Sequence, residues 1–145
     1  MVLDSLKLQT NKNFELIIAE DAEDEDMKEY IEVKRIELPF ILTHISQEDM
    51  GYRRNKALNN GLKIAKGRLI IVIDGDCMVH PKFIEEYIKA YNDGDCFIGR
   101  RQELGSKYTQ KIIQKHKVKL NPIEIFFSDS KKKEHKEMLY LLGMK

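Results

Sequence analysis

Cysteine is scarce in this chain: Cys77 and Cys96 are the only two in 145 residues, and no metal-ligand spacing joins them. That argues against a disulfide-built fold and for a reducing compartment, with both thiols acting as small hydrophobes. No apolar run approaches the roughly 18 residues that a membrane span requires, and the first residues show no signal-peptide pattern. Internal repeats and low-complexity tracts are also missing. Neither charge sign dominates, since the net charge is +1. Its distribution, however, is uneven. Residues 1–50 hold 5 Lys/Arg against 13 Asp/Glu, whereas residues 100–145 hold 12 against 5. The plain reading is solvated helix faces, including Lys131 to Lys133. The sharper one is a basic C-terminal surface that meets an anionic partner or membrane.

What is present is a domain-sized chain with 42% hydrophobic and 34% charged residues, a globular balance with enough length for a core. Its most informative stretch is Leu69-Ile70-Ile71-Val72-Ile73-Asp74-Gly75-Asp76. Five apolar residues, four of them β-branched, predict a strand buried on both faces, as in the parallel sheet of an α/β fold. Asp74 and Asp76 then fall at the carboxyl edge of a central strand, where open α/β sheets bind ligands. In an extended chain they point the same way, roughly 6.6 Å apart at Cα. Two carboxylates so placed can share a hard cation or a cation-bound polyphosphate, and Gly75 lets a ligand approach the backbone. The alternative is structural, with either aspartate serving as a helix N-cap or loop residue.

The remaining punctuation predicts alternating elements. Strands are expected at 14–18, 40–45, 69–73 and 96–99. Helices are expected at 25–35 and 53–66, and again from Pro81, with Phe83, Ile84, Tyr87, Ile88 and Tyr91 facing the core. Gly67 suits a helix stop. This β-α-β-α-β-α-β order is that of a layered α/β domain. Beyond Arg101 the pattern predicts a basic helix over 106–120, a strand over 123–127 and a helix over 129–142. His44 reads as core, and His116 and His135 as surface. His80 reads as opening a helix rather than as a ligand.

Four blocks taken in order carry a resemblance. They are Ile17-Ile18-Ala19-Glu20-Asp21; Gln47-Glu48-Asp49-Met50-Gly51-Tyr52-Arg53 with Asn55-Lys56-Ala57; Asp74-Gly75-Asp76-Cys77 with His80-Pro81-Lys82-Phe83-Ile84; and Gly99-Arg100-Arg101. From Leu16 to Arg101 the chain resembles the nucleotide-sugar half of a family 2 inverting glycosyltransferase. The resemblance implies a three-layer α/β/α sandwich of the GT-A type, incomplete here, with residues 1–101 as the nucleotide-sugar core. Residues 102–145 would be a basic helical extension or the start of the acceptor side. By the same resemblance Asp76 would hold Mn²⁺ or Mg²⁺, and Asp74 would contact the ribose or the metal's water shell. Asp21 would face the base, and Asp49 or Arg53 the donor. Arg53 and Arg54 read equally well as solvated helix residues.

The implied activity is transfer of a sugar from a nucleotide sugar, a UDP-sugar by family lean, to a glycan or lipid-linked acceptor in cell-surface polysaccharide synthesis. The implied setting is cytoplasmic or peripheral to the inner membrane face, with no role for nucleic acid. Family members begin with a strand before a helix like that at Val2 to Gln9, and they carry a Glu-Asp pair as general base. Neither is found, since Glu103, Glu124, Asp129, Glu134 and Glu137 are not adjacent, so the catalytic base is unassigned. The chain reads as a core shortened at both ends, with an unpaired sheet edge that favours self-association. Two other readings stay open: a non-catalytic nucleotide-sugar-binding remnant, and a haloacid-dehalogenase-type phosphatase, which also sets Asp-x-Asp after a buried strand but usually near the N-terminus and followed by residues unlike Cys77-Met78.

Overall fold

A computed structural model describes residues 1–92, 96, 98–99 and 101–129. The chain is α/β. In order it forms α1 (Val2–Lys7), β1 (Glu15–Ala19), α2 (Glu25–Glu37), β2 (Ile41–Ile45), α3 (Arg54–Ile64), α4 (Phe83–Ala90), α5 (Ser106–Gln114) and α6 (Pro122–Phe126). Strands β1 and β2 pair in parallel, with Glu15 opposite Ile41 and Ala19 opposite Ile45. A parallel pair needs a crossover, and α2 supplies it. Asp24 starts that helix by accepting the backbone N–H groups of Asp26 at 2.8 Å and Met27 at 3.1 Å. The stacked rings of Phe14 and Phe40, 4.4 Å apart, close the amino ends of the two strands.

Helix α3 packs across both strands. Gly61 makes this approach close: a β-carbon there would sit 3.5 Å from the Ala19 Cβ and 3.6 Å from the Ile17 Cγ2. Leu6, Ile31, Leu42, Ala57 and Ile84 are buried. A second apolar cluster joins Tyr108, Ile112 and Ile125 to Met1, Met78, Leu104 and Leu120. Helices α5 and α6 are thereby packed against both the first residue and the segment that follows the Asp-Gly-Asp turn.

The structure corrects several expectations. Residues 69–73 form no strand; their burial alternates, with Ile70 44% and Val72 51% exposed. The physical reason is a missing neighbour. Among the described residues no backbone group of 69–73 is hydrogen-bonded to another backbone group, so none of these residues forms a ladder with the run. Among the described residues the sheet is consequently two-stranded. Residues 123–127, expected as a strand, lie largely in α6, because Asn121 caps the segment at Ile123 N–H and Pro122 occupies its first turn. Helix α4 begins at Phe83, two residues later than Pro81 suggested. The expected strand at 96–99 lies partly, and the helix at 129–142 almost wholly, outside the described residues. Asp129 is itself described. Its carboxylate accepts the N–H groups of Lys107 at 2.9 Å and Tyr108 at 3.1 Å, capping α5 from a distance in sequence. Those N–H groups hold its carboxyl below the usual range, and they bring it so close that a β-carbon on Gly105 would meet it at 2.2 Å.

A buried amide latches α1 to the start of α4. Gln9, 2% exposed, donates through Nε2 to the His80 carbonyl at 2.8 Å and the Ser5 carbonyl at 3.2 Å. Its Oε1 accepts the Ile84 N–H at 3.0 Å. Ser5 Oγ in turn accepts the Val79 N–H at 3.1 Å. Replacing Gln9 by leucine keeps the volume but strands the Ile84 N–H, so we expect a loss of about 1–3 kcal/mol in urea unfolding. At the same helix start, burial and then Lys82 push the His80 imidazole below its ordinary value, against a weaker opposing effect of Glu86. The neutral ring accepts the Lys82 N–H at Nδ1, 3.2 Å away. A base with a depressed folded pKa binds fewer protons than its unfolded form, so this stability is present above about pH 6.5 and lost as pH falls through the folded value. Unfolding midpoints at pH 7.5 and 5.5 should therefore differ more for the parent than for His80→Asn.

Candidate functional site

The Asp-Gly-Asp segment closes a turn in which the Cys77 N–H donates to the Asp74 carbonyl at 3.1 Å. A β-carbon on Gly75 would meet nothing within 4 Å, so the backbone there is open to an incoming group. The ligating atoms of Asp74, Asp76 and Cys77 all lie within 4.8 Å of one another. Three groups that can hold a metal ion thus converge at the turn. Burial, aided by Asp76 and Asp74, pushes the Cys77 thiol up, so it stays protonated, and Sγ donates weakly to Asp76 Oδ1 at 3.4 Å. The two carboxylates supply oxygen ligands, which suit a hard cation.

Asp74 already has a cation. Arg54 Nη2 lies 2.5 Å from its Oδ1, with both side chains nearly half exposed, and this bond and charge raise the guanidinium pKa further. Arg54 stands in the first turn of α3, which holds no acidic residue.

Asp21 has a different occupation. Its Oδ1 accepts Gln47 Nε2 at 2.5 Å, and its Oδ2 accepts the backbone N–H of Arg53. Gln47 is buried. The carboxylate therefore ties the end of β1 to the 47–53 loop. The Arg53 side chain donates from Nη2 to the Glu48 carbonyl, while its Nε is buried without a partner. Asp49 is exposed and accepts the Gly51 N–H at 3.0 Å, and Gly51 takes φ +82°, the left-handed region that suits glycine. Next to this loop, His44 Nε2 and Glu20 Oε2 lie 2.8 Å apart with side chains 9% and 14% exposed.

Of the six residues singled out in the sequence, Asp74, Gly75 and Asp76 share one open turn. Asp21 and Arg53 share a second cluster, and Asp49 turns the loop between β2 and α3. Arg54 is the residue sequence reading undervalued. Read as solvated as readily as functional, it is the side chain that reaches Asp74. Nothing in its local spacing marks it, because that contact spans 20 positions. Gln47 and the Glu20–His44 pair were also passed over as sites. Asp21→Asn should test the loop tie directly: asparagine cannot accept at both positions, so amide exchange at Arg53 should accelerate and stability should fall even without ligand.

Comparison with known proteins gives a consistent result. The Glycosyl transferase family 2 profile matches residues 2–141. A chondroitin synthase from Escherichia coli is 28% identical over 118 residues, covering 79% of this chain and 17% of that protein. A hyaluronan synthase from Pasteurella multocida is 26% identical, covering 69% of this chain and 10% of that protein. A validoxylamine A glucosyltransferase from Streptomyces hygroscopicus subsp. jinggangensis is 25% identical, covering 61% and 21%. The chain spans less than a third of the length of these relatives. No solved structure matches. The phosphatase reading loses its ground, because the match runs through the Asp-x-Asp segment and almost to both ends of the chain. The chain belongs to glycosyl transferase family 2.

Proposed function

We propose that this chain binds the nucleoside diphosphate of a nucleotide sugar, a UDP-sugar, through a divalent ion at the Asp74–Asp76 turn. The observation that supports this most is the convergence of two carboxylates and Arg54 on one open turn. Two carboxylates against one guanidinium leave a net negative charge, which attracts a cation. With a divalent ion the balance becomes positive, which attracts a diphosphate. Asp76 and Asp74 would hold Mn²⁺ or Mg²⁺, and the bound ion would neutralise charge on the departing nucleoside diphosphate. Arg54, released from Asp74 as the ion takes that carboxylate, would turn its fork to a phosphate. Gly75 leaves room at the backbone. Asp21 keeps Arg53, and through it the start of α3, in register, while Asp49 and the 47–53 loop flank the donor.

In this reading the chain works within sugar transfer to a glycan or lipid-linked acceptor in polysaccharide synthesis. Residues 1–101 form the donor side, and residues 102–145 begin the acceptor side. The relatives named as chondroitin and hyaluronan synthases support that direction. No described helix is long and apolar enough to cross a membrane. Contact with the inner membrane face would instead use residues 107–119, where Lys107, Lys111, Lys115 and Lys119 are exposed.

Calorimetric titration with UDP tests the site. Binding should appear with Mn²⁺ or Mg²⁺ and vanish with EDTA. Asp76→Asn should abolish the metal-dependent part with an unchanged far-UV spectrum. Arg54→Met should weaken UDP at least tenfold while leaving ion binding intact. Lys63→Gln, exposed near the far end of α3, is the control. Asp129 would be a poor one, since it caps α5. Metal-independent binding, or an unaffected Asp76→Asn variant, would make the turn structural.

A further inference from the structure

Of the three metal-capable groups at the Asp-Gly-Asp turn, donor binding uses the two carboxylates and leaves the Cys77 sulfur without a role. That sulfur lies 3.4 Å from Asp76 Oδ1. The separation has a geometric meaning. A tetrahedral ion about 2.1 Å from a carboxylate oxygen and about 2.3 Å from a sulfur holds those two atoms about 3.6 Å apart. Asp76 and Cys77 therefore already stand at the span of one ion, and Asp74 offers a third ligand atom within 4.8 Å of theirs. The sulfur is fixed on both sides in sequence. The Cys77 N–H donates to the Asp74 carbonyl at 3.1 Å, and Met78 packs on the Tyr108–Ile112–Ile125 cluster. A cysteine kept as a small hydrophobe meets apolar neighbours, whereas this one is half-buried and its Sγ meets a carboxylate.

Ligand chemistry then separates the ions. Mg²⁺ takes oxygen ligands in near-octahedral geometry and has no use for a sulfur, whereas Zn²⁺ accepts sulfur and oxygen together in a tetrahedron. We propose that Cys77 is a further ligand at this turn and makes it a site for Zn²⁺, held by Cys77 Sγ and Asp76, and by Asp74 once Arg54 releases it. The proposal rests on the turn being a divalent-ion site and changes which ion it favours. Without an ion the thiol keeps its proton; as the zinc–sulfur bond forms, the S–H bond breaks and the proton passes to solvent. Charge gives the consequence. Two carboxylates and a thiolate balance Zn²⁺ and the Arg54 guanidinium, so the positive excess that would attract a diphosphate is lost. Cys77 thus makes Zn²⁺ an antagonist of Mn²⁺ or Mg²⁺ at Asp76, and of nucleotide binding with it.

The experiment uses the full chain with the metals alone, then with UDP. Iodoacetamide labelling, mapped peptide by peptide, needs no variant: Zn²⁺ should slow alkylation of Cys77 roughly tenfold or more, Mg²⁺ should not, and exposed Cys96 is the internal reference. Co²⁺, standing in for Zn²⁺, should give a near-ultraviolet thiolate-to-cobalt charge-transfer band that Cys77→Ser lacks. In calorimetry Cys77→Ser should weaken Zn²⁺ roughly tenfold more than it weakens Mn²⁺, and the Zn²⁺-loaded parent should bind UDP more weakly than the Mn²⁺-loaded parent. Alkylation of Cys77 that ignores Zn²⁺, a cobalt spectrum without the band, or equal weakening of both ions in Cys77→Ser overturns the proposal. Mn²⁺-dependent UDP binding without the band removes the sulfur ligand alone. The band together with metal-independent UDP binding removes the donor reading and leaves the sulfur ligand standing.

Discussion

The Asp21 carboxylate is the joint on which the site depends. One oxygen takes the Gln47 amide and the other takes the Arg53 N–H, so the end of β1 sets where α3 begins. Arg54 is the first residue of that helix, and its guanidinium reaches Asp74. A displacement of the 47–53 loop would therefore move the cation away from the carboxylate without any change at the Asp-Gly-Asp turn. Neither Asp21 nor Gln47 lies among the three metal-capable groups, yet both determine the charge those groups present.

A second constraint holds the turn from the other side. Ser5 of α1 and Gln9 just after it satisfy backbone groups of 79–84. Buried amides and hydroxyls are favourable only when bonded, so α1 and the start of α4 are specified together. Met78, immediately after the turn, packs on the Tyr108–Ile112–Ile125 cluster. The Asp74–Cys77 turn is thus held on its carboxyl side by α1, α4 and α5, while the 69–73 run on its amino side has no backbone partner among the described residues. That asymmetry sets where the structure has freedom: ahead of the metal-capable residues, not behind them.

Family membership and the contacts within this chain bear on different things. The resemblance implies a role for Asp21 at the nucleotide base; in the structure both of its oxygens bond the 47–53 loop. Arg53, which the resemblance places at the donor, bonds the Glu48 carbonyl here, and the neighbouring Arg54 meets Asp74. A helix separates adjacent side chains by about 100°, so a one-residue difference at its first turn decides which guanidinium faces the site.

Much of the local structure was legible in the sequence. The apolar runs at 14–18 and 40–45 and the helical patterns at 25–35 and 53–66 each act within a few residues, and each produced its element. The Asp-Gly-Asp turn was legible for the same reason. What the sequence could not determine depends on partners far along the chain. The 69–73 run has every property of a buried strand, but a strand exists only if another backbone lies beside it, and none of the described residues does. Residues 123–127 have strand composition, yet a cap at Asn121 and packing on Tyr108 made most of them helix. The Arg54–Asp74 pair, the Gln9 latch and the Asp129 cap join residues 20, 75 and 22 positions apart. Local pattern reports propensity and burial, whereas the pairing of backbone and charge is settled only when distant segments meet.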